Sequence, residues 1–519
     1  MEQLVDLGLP HLFLALAASA LFLLSRKALA SVWGRAGQHS LPPGPRRLPI
    51  IGNLLDAPRH HLWLGFKDLC SRYGDLVYLN ILGNHLVIVG SARLATELLE
   101  KRSRNTSDRP FIPVAPLVGN DAAFSIMPYG QQWRDHRRAF WQIFHPAATR
   151  EYREIQSEKL RIFLAALLES PENFQQHIRY NFSATVMKLL YDLDAKEKDD
   201  EFIAKVEESM ALTSEHLTGS HPVDIFPFLR HLPGWVPGAG FQYEFARCKA
   251  AVTYVKEAPF ALMKAALNRG ESVSCSLATL LSKIGGQSTD AEMAYQEDVI
   301  KNVGLIAFEG GSDTSFSTII SVFLAMTLYP GVQKKAQDEL DAVVGPHRLP
   351  GSEDRDALVY INAIVKEALR WHVVLPLSVP HRTIEDDVVD GYFIPAGSLI
   401  MPNTWAILHD PEAYDMPEEF RPERFIRDGK LDPSVRDPYA YAFGYGRRAC
   451  AGRHFADEAL FLTIASVLHV FNIDAPLDDQ GQPVKTELRQ TNGLLTYPEE
   501  CRCVVTPRSE EAISLISGT

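Results

Sequence analysis

The sequence has little cysteine, with six among 519 residues, at positions 70, 248, 275, 450, 501 and 503. Cysteines so few and so widely scattered exclude the disulfide framework of a small secreted domain. Cys501 and Cys503 stand two residues apart, but no second pair completes a zinc site. We therefore interpret all of them except Cys450 as structural thiols in a reducing compartment.

A basic surplus and a nucleotide-binding fingerprint are also missing. The net charge is −12 at pH 7, which argues against nucleic-acid binding because that function needs a basic face. No glycine-rich dinucleotide or flavin motif occurs, and the chain has no internal repeat or long low-complexity tract. A hydrophobic content of 46% and a charged content of 22% are ordinary for a globular protein with a large core.

Apolar residues at spacings of three and four predict helices through most of the chain. A hairpin is predicted at residues 75–89, where β-branched residues surround a central Gly83-Asn84. The predicted fold class is therefore mainly α with small β-sheets. Residues 223–241 are rich in proline and large apolar side chains, and they form either a buried connection or a loop that dips into a membrane surface.

The amino terminus carries a long apolar run, residues 7–24, without a formally charged side chain. At ~1.5 Å per helical residue this run reaches ~27 Å, enough to cross a bilayer core. Glu2 and Asp6 precede it, and the basic residues that follow stand at positions 26, 27, 35, 46 and 47. This asymmetry predicts a single-pass anchor with the rest of the chain in the cytosol. A signal peptide cleaved near Ala30 is the alternative.

Four segments are predicted along the chain. Residues 1–26 form the anchor, and residues 27–50 form a basic and proline-rich hinge, because the prolines at 42, 43, 45 and 49 stiffen the backbone. The main domain is expected at residues 51–505, and residues 506–519 form a C-terminal tail.

Cys450 has the most informative surroundings, which fit the pattern F-x-x-G-x-R-x-C-x-G. Gly444 and Gly446 allow a tight turn and a close approach to a flat cofactor, and Arg448 offers a guanidinium to a carboxylate. A helix predicted from Gly452 directs its positive end at the sulfur and favours the thiolate. A thiolate in this setting is a ligand for haem iron, whereas a lone cysteine in a glycine-rich turn is usually a buried structural residue.

With this pattern the sequence resembles the cytochrome P-450 superfamily of haem-thiolate monooxygenases, and in particular its fungal microsomal members. The resemblance extends from the anchor to about residue 505 and implies a cytochrome P-450 fold preceded by a transmembrane helix. It also implies that residues 51–505 are the haem-thiolate catalytic domain and that Cys450 is the axial ligand of the iron of haem b. Arg448 is then a cofactor-binding residue.

Residues 307–315 carry an adjacent glycine pair, Gly310 and Gly311, inside a helix predicted over residues 296–328. Such glycines cost roughly 1 kcal/mol each relative to alanine, and Thr314 can bond back to the Gly310 carbonyl and open a groove. The segment resembles the oxygen-activation motif of the family. The resemblance implies that Thr314 stabilises activated oxygen and that Asp313 helps to deliver protons.

The resemblance also assigns roles to three further groups of residues, each of which includes a basic side chain. Glu367 and Arg370, three apart on a helix, could be an ordinary surface pair; the resemblance joins them with Arg424 in a structural network. Trp133 and Arg137, four apart on a basic helix, are implied to bind a haem propionate. His381 is implied as a third donor, although Arg382 beside it is an alternative.

Apolar residues at positions that resemble substrate-recognition segments favour a lipophilic, uncharged or weakly polar substrate. Plain core packing is the alternative for each of them. They are Val114, Phe124, Ala307, Phe308, Val374, Leu375, Leu377, Leu494 and Leu495.

Together these features predict a haem monooxygenase on the cytosolic face of the endoplasmic reticulum membrane. It would use O2 to hydroxylate or epoxidise a terpenoid or other secondary metabolite. NADPH would supply electrons through a separate reductase that holds FAD and FMN, because the chain has no fingerprint for either. Membrane lipid is a further expected partner, and a basic patch near Arg137 would receive the reductase.

Two other functions remain open on the sequence. A haem-thiolate isomerase or dehydratase would need no external electrons, but an intact Asp313-Thr314 pair speaks against it. A non-catalytic membrane haem-binding protein would have no use for these proton-delivery residues. Reductase-dependent consumption of NADPH separates the three.

Overall fold

The structure is a computed structural model that describes residues 39–196, 201–217, 221–285, 289–484 and 486–518. The predicted anchor and residues 27–38 of the hinge lie outside the described residues. Within these ranges no single helix has the length and apolar content needed to cross a membrane. One bent pair of helices, Asp290–Leu328 with Pro330–Val343, passes the same test by length and composition only.

Helices form most of the described chain, as the sequence predicts. In the first half they are α1 (Leu62–Tyr73), α2 (Ala92–Ala95), α3 (Ser103–Thr106), α4 (Ala115–Val118), α5 (Gln131–Phe144), α6 (Pro146–Glu151), α7 (Arg153–Glu169), α8 (Phe174–Tyr191), α9 (Glu201–His216) and α10 (Pro222–Ile225). They continue with α11 (Phe241–Asn268), α12 (Ser276–Leu281), α13 (Asp290–Leu328), α14 (Pro330–Val343), α15 (Val359–Trp371), α16 (Thr404–Leu408), α17 (Tyr439–Ala442), α18 (Arg453–Val470) and α19 (Glu510–Ser517).

The strands are short, and the predicted small sheets are confirmed. They are β1 (Leu76–Ile81), β2 (Asn84–Val89), β3 (His381–Arg382), β4 (Asp387–Val389), β5 (Tyr392–Ile394), β6 (Leu399–Pro402), β7 (Ile426–Arg427), β8 (Lys430–Leu431), β9 (Phe471–Asp474) and β10 (Val504–Pro507). Residues 506–519, predicted as a tail, thus include the end of β10 and α19.

The predicted hairpin is β1 paired with β2, in a register that runs from Leu76 opposite Val89 to Ile81 opposite Asn84. Its turn is Leu82-Gly83, one residue earlier than the predicted Gly83-Asn84. Both turn residues have positive φ, +51° and +90°, as a two-residue hairpin loop requires.

The long helix α13 begins at Asp290, six residues before the predicted start at 296. Thr289 and Glu292 explain the difference, because they form a reciprocal cap. The Glu292 N–H donates to the Thr289 hydroxyl (3.3 Å), and the Thr289 N–H donates to the Glu292 carboxylate (2.8 Å). This T-x-x-E signal is visible in the sequence. Pro330, which cannot continue a helix, follows the end of α13 at Leu328.

The described chain divides into two compact units. The first unit holds the residues up to Pro110 together with Leu377–Ile407 and Tyr445–Arg448. Its main element is a four-stranded sheet of order β1-β2-β6-β3, in which β2 and β6 are parallel and the other pairs are antiparallel. A small hydrophobic core lies between this sheet and α1, and its members are Phe66, Leu69, Val77, Leu79, Leu86 and Ile88.

The second unit comprises Phe111–Pro376, Leu408–Gly444 and Ala449–Thr519. Helix α13 runs through it and packs against α5, α8, α11 and α18, with most of its side chains from Val299 to Met326 buried. Such a helix is apolar nearly all round because it is surrounded by other helices. Functional groups on α13 are therefore fixed by packing on several sides.

Residues 223–241, also in the second unit, contain the end of α10 and a 3-10 helix, Pro227–His231. Phe228 is 67% exposed and Trp235 is 79% exposed. The prediction of a buried connection is therefore wrong for these side chains. The alternative, contact with a membrane surface, is a proposal considered below.

Candidate active site

The loop before α18 fixes Cys450 by its backbone. The Cys450 N–H donates to the Phe443 carbonyl at 2.7 Å. Gly444 sits at φ +75°, a left-handed conformation that glycine adopts without strain. Helix α18 begins at Arg453, directly after Gly452, so the predicted helix start behind the cysteine is confirmed.

The thiol of Cys450 is held in a desolvated but accessible position. Cys450 is exposed as a residue, yet the surrounding protein desolvates its sulfur, and this burial raises the pKa of the thiol. The Gly452 N–H and the cations of Arg137 and Arg453 lower the pKa, as predicted for the helix start, but desolvation outweighs them. A stable thiolate at Cys450 therefore needs a further positive charge.

Arg137 lies on α5 beside this loop. Its Nη2 donates to the carbonyl of Ala449 at 2.5 Å. Burial lowers the pKa of Arg137, and the neighbouring Cys450 opposes that effect. Trp133, one turn earlier on α5, is buried and lies 4.9 Å from the ring of Tyr129. The predicted helix that carries both residues is confirmed, and their contact with a haem carboxylate stays a prediction.

Three basic side chains are buried near one another in the first unit: Arg109, His381 and Arg448. Each donates to backbone carbonyls: Arg109 to Val379 (2.6 Å) and Pro380 (2.7 Å), His381 to Thr106 (2.8 Å), and Arg448 to Ser107 (2.8 Å). Burial lowers the pKa of Arg109 and of His381, and repulsion from Arg448 lowers both further. An anion placed among these groups would relieve that repulsion.

Sequence reasoning found two members of this basic group and missed Arg109, which has no spacing signal to mark it. Arg382, the alternative to His381, is exposed, and its Nη1 lies 3.6 Å from the Asp108 carboxylate. The structure thus places His381 with Arg448, whereas Arg382 points to the surface.

Gly446, in the same unit, shows why a glycine is needed there. A Cβ at this position would come within 2.2 Å of the Leu99 carbonyl oxygen, and the Gly446 N–H donates to the Glu100 carboxylate at 2.6 Å. The close approach that the structure shows is therefore to protein. The predicted approach to a flat cofactor stays untested.

In α13 the predicted bond across the glycine pair is present. The Thr314 hydroxyl donates to the Gly310 carbonyl at 2.7 Å. Gly310 is exposed, and no described atom lies within 4 Å of the position that a Cβ would take, while a Cβ on Gly311 would meet the Val186 side chain at 3.3 Å. The helix thus presents a small hydroxyl beside open space on one side and packs tightly on the other.

Asp313 lies on the packed side of α13 and has two partners that sequence reasoning missed. Arg179 donates to one carboxylate oxygen at 3.0 Å, and the Tyr497 hydroxyl donates to the other at 2.9 Å. The Arg179 guanidinium also stacks over Phe316, 4.1 Å from the ring centre. Both partners are remote in sequence, so no local pattern could have indicated them.

Glu367, Arg370 and Arg424 are brought together as predicted. Arg370 holds the Glu367 carboxylate with two bonds (2.7 and 2.8 Å), and Arg424 adds a third contact at 3.1 Å. The remaining donors of Arg370 bind the carbonyls of Leu408 (3.2 Å), Pro417 (2.7 Å) and Glu419 (3.0 Å). The network therefore secures residues 408–419 to α15.

The nine candidate substrate residues divide into two groups. Val114, Phe124, Ala307 and Phe308 are buried, and Leu377 packs on the core of the first unit. Val374, Leu375, Leu494 and Leu495 are half-buried. The Thr496 N–H donates to the Val374 carbonyl at 2.9 Å, which joins the two segments of this second group. Contact with a substrate stays a prediction for all nine.

Known proteins resemble this chain over most of its length. The sequence profile described as Cytochrome P-450 matches residues 42–502. The chain is 40% identical over 480 residues to cytochrome P-450 monooxygenase COX1 of Coprinopsis cinerea, covering 92% of this chain and 93% of that relative. It is 39% identical to COX2 of the same fungus, covering 94% and 93%. It is 37% identical to the tryptamine 4-monooxygenase of Psilocybe cyanescens, covering 93% and 96%.

Proposed function

The chain belongs to the cytochrome P-450 family and is a monooxygenase of that family, and from this premise we propose that it inserts one atom of O2 into a C–H or C=C bond of a lipophilic small molecule. The observation that carries the proposal is the joint presence of two features in the second unit. One is the accessible thiol of Cys450 with Arg137 beside it. The other is the Thr314 hydroxyl held beside the open side of Gly310.

The family implies haem b, and the donor groups of the chain fit it. Cys450 would offer its sulfur to the iron, and a bound iron would supply the positive charge that a Cys450 thiolate needs in this desolvated setting. Within the first unit, Arg109, His381 and Arg448 are buried basic groups that repel one another, a setting that would suit a carboxylate anion. When bound, haem supplies the activation of O2 for oxygen transfer.

Thr314 and Asp313 are proposed to manage protons at this site. The Thr314 hydroxyl, already bonded to the Gly310 carbonyl, can pass on a proton at Oγ1 without moving the helix. Asp313 is held by Arg179 and Tyr497, so its carboxylate has a fixed orientation. A positioned proton-transfer group of this kind typically contributes roughly 10²–10⁴-fold to the step that it serves.

The electrons are proposed to come from NADPH through a separate reductase that carries FAD and FMN. The lack of a flavin or dinucleotide fingerprint in the sequence supports this division of labour. The exposed Arg134 and Arg138 of α5, on the helix that holds Arg137, offer a basic surface to an acidic partner.

The substrate is proposed to be a terpenoid or another secondary metabolite of low polarity. The half-buried Val374, Leu375, Leu494 and Leu495 leave apolar surface for such a molecule. One relative is named for a reaction of tryptamine, so aromatic amines belong in the same screening panel as terpenoids, steroids and polyketides. Spectral shifts of the purified protein on ligand addition would identify the class.

We further propose that the protein sits in the endoplasmic reticulum membrane with its catalytic domain in the cytosol. The apolar run at residues 7–24 supports an anchor, and the exposed Phe228 and Trp235 support a second, peripheral contact with lipid. Deletion of residues 1–26 should release most of the protein from tight membrane association and leave haem incorporation possible. Secretion of the intact protein with cleavage near Ala30 would contradict this topology.

The test of the proposed function is reductase-dependent turnover. Purified full-length protein, a cytochrome P-450 reductase and NADPH are expected to consume O2, and omission of the reductase should stop that consumption. An isomerase, a dehydratase or a non-catalytic haem protein would show no reductase-dependent NADPH oxidation with any member of the substrate panel, and that result would overturn the proposal.

A further inference from the structure

Glu309 is a buried acid on α13 to which neither the sequence motif nor the proposed function gives a role. It directly precedes Gly310 and is 6% exposed. Its carboxylate accepts a hydrogen bond from the hydroxyl of Ser209 on α9 at 3.2 Å, and Ser209 itself has no exposed surface. No lysine or arginine in the described part of the chain forms an ion pair with it. Glu309 is therefore an acid buried without a cation.

Asp313, four residues later on the same face of α13, has the opposite surroundings. Arg179 and Tyr497 bind it directly. Side chains four apart on a helix are neighbours, with Cβ atoms about 5–6 Å apart. A proton can pass between two such carboxyl groups directly or through one water. The two carboxyl groups therefore differ in their partners: Asp313 has a guanidinium and a hydroxyl, and Glu309 has a hydroxyl.

Three other helices carry charged or titratable groups around the pair formed by Glu309 and Asp313. Helix α8 contributes Arg179, which is turned to Asp313. Helix α9 contributes Glu207, whose side chain is 46% exposed and lies 3.6 Å from Arg179. Helix α11 contributes Cys248, a thiol that stays neutral because burial raises its pKa to about 11. None of these neutralises a Glu309 carboxylate.

The electrostatic result is a carboxyl group that holds its proton near neutral pH. The pKa of Glu309 is raised to about 7, chiefly by burial; the Ser209 hydrogen bond opposes this rise, and the negative charge of Asp313 adds to it. At neutral pH the group is therefore divided between its two protonation states, which is the condition for giving and regaining a proton.

We propose that Glu309 is the proton store for Asp313 and Thr314, a positioning residue that supplies a proton from inside the protein to the open side of α13. The proton leaves a Glu309 carboxyl oxygen for the Asp313 carboxylate, and Glu309 becomes a carboxylate. A solvent proton that enters at the exposed Glu207 and crosses by way of Asp313 restores it, so no electron changes hands. The inference rests on the proposed function of α13 in oxygen activation.

The first test observes Glu309 without any turnover. Infrared spectra of the purified protein, titrated across neutral pH, should show the carbonyl stretch of a protonated carboxyl that disappears as the pH rises. Glu309→Gln should remove this band. Ser209→Ala should move its midpoint to higher pH, and Asp313→Asn should move it to lower pH. A wild-type protein with no carboxyl titrating near neutrality would overturn the inference.

Glu208→Gln is the matched control. Glu208 lies next to Ser209 on α9, but Lys205 and Arg247 pair with it and hold its pKa below the ordinary value. Glu208→Gln should therefore leave the infrared band in place. Loss of the same band in this variant would show that the band belongs to another group, which would also overturn the assignment.

The second test measures proton supply during turnover with reductase, NADPH and O2 and no added substrate. Peroxide released per NADPH oxidised should rise in the wild type as pH passes the pKa of Glu309. In Glu309→Gln it should be high at every pH, because the amide keeps the Ser209 contact and holds no transferable proton. Glu309→Asp should restore part of the pH dependence, which a purely structural role would not explain.

The two tests separate the two claims. A protein that never consumes NADPH with the reductase would overturn the proposed function and leave the infrared assignment standing. A normal monooxygenase whose peroxide ratio has the same pH dependence in wild type and Glu309→Gln would keep the proposed function and overturn the inference.

Discussion

The loop that carries Cys450 and the middle turns of α13 have charged neighbours of opposite kinds. The charged neighbours of Cys450 are basic, Arg137 and Arg453, and they favour a negative sulfur. In the middle of α13 the acids Glu309 and Asp313 share surroundings with one cation, Arg179. The first arrangement favours a negative sulfur but is outweighed by burial, and the second is proposed to keep a proton available. Under the proposed function both are needed, because a sulfur bound to iron should keep its charge, whereas groups that deliver protons should change theirs.

The largest effect is expected at Cys450. Cys450→Ala should abolish the thiolate-type spectrum of the reduced, carbon-monoxide-bound protein, because the variant lacks the sulfur that is proposed to bind the iron. Cys501→Ala and Cys503→Ala are the controls and should keep that spectrum. A normal thiolate spectrum in the Cys450 variant would remove the basis of the comparison.

The next effect concerns proton transfer at α13. Thr314→Ala removes a hydroxyl that bonds to the Gly310 carbonyl and leaves Cys450 and Arg137 in place. The haem spectrum should be near normal. The proton-transfer step should slow by roughly 10²–10⁴-fold, so that less product forms per NADPH and peroxide is released instead. NADPH, peroxide and product are measured together. An unchanged ratio of product to NADPH would make Thr314 a packing residue only.

A third prediction tests how firmly the region that leads to the Cys450 loop is held. Arg370→Leu leaves Glu367 fully buried with Arg424 as its remaining ionic partner among the described residues. Removing one partner of a buried ion pair costs about 3–5 kcal/mol. We expect a lower melting temperature and reduced haem content, measured on the variant and on Arg421→Leu, whose exposed side chain pairs with Asp415 at the surface. Equal stability of the two variants would contradict a structural role for the network.

The smallest effect is a pH dependence of stability at Glu309. Its pKa rises from 4.5 to about 7 on folding, chiefly through burial, so the folded protein keeps a proton that the unfolded chain loses. The free energy of unfolding should therefore fall as pH rises between these values, by about 3 kcal/mol at most. Glu309→Gln should lose this slope, and melting temperatures across the window measure it. If the stability of Glu309→Gln had the same pH dependence as that of the wild type, Glu309 would have the same pKa in the folded and unfolded states.

The sequence predicted the local features of both regions. The hairpin of β1 and β2, the helix after Gly452 and the bond from Thr314 to Gly310 depend on residues close in the chain, whose spacing carries the information. Cys450 was likewise indicated by its immediate neighbours in the chain, because the signature around it is continuous. Even the early start of α13 was available in the T-x-x-E cap at Thr289.

What the sequence could not predict depends on distant residues or on burial as a whole. Arg179 and Tyr497 reach Asp313 from far along the chain, and no pattern near Asp313 indicates them. The raised pKa of the Cys450 thiol has the same origin, because desolvation sums over all surrounding atoms. The sequence correctly predicts that the helix start lowers the pKa of Cys450, but it does not show that burial raises this pKa by more.

Gly310 shows what this architecture leaves open to evolution. A glycine in a helix interior costs about 1 kcal/mol relative to alanine, and a Cβ at Gly310 would meet no described atom within 4 Å beyond the neighbouring backbone of its own helix. Selection for stability alone would have replaced it. Under the proposed function this open space lies beside the oxygen-activating hydroxyl of Thr314, so a larger residue at Gly310 is expected to exchange helix stability against room at the site, and an engineer seeking a new specificity should vary this position first.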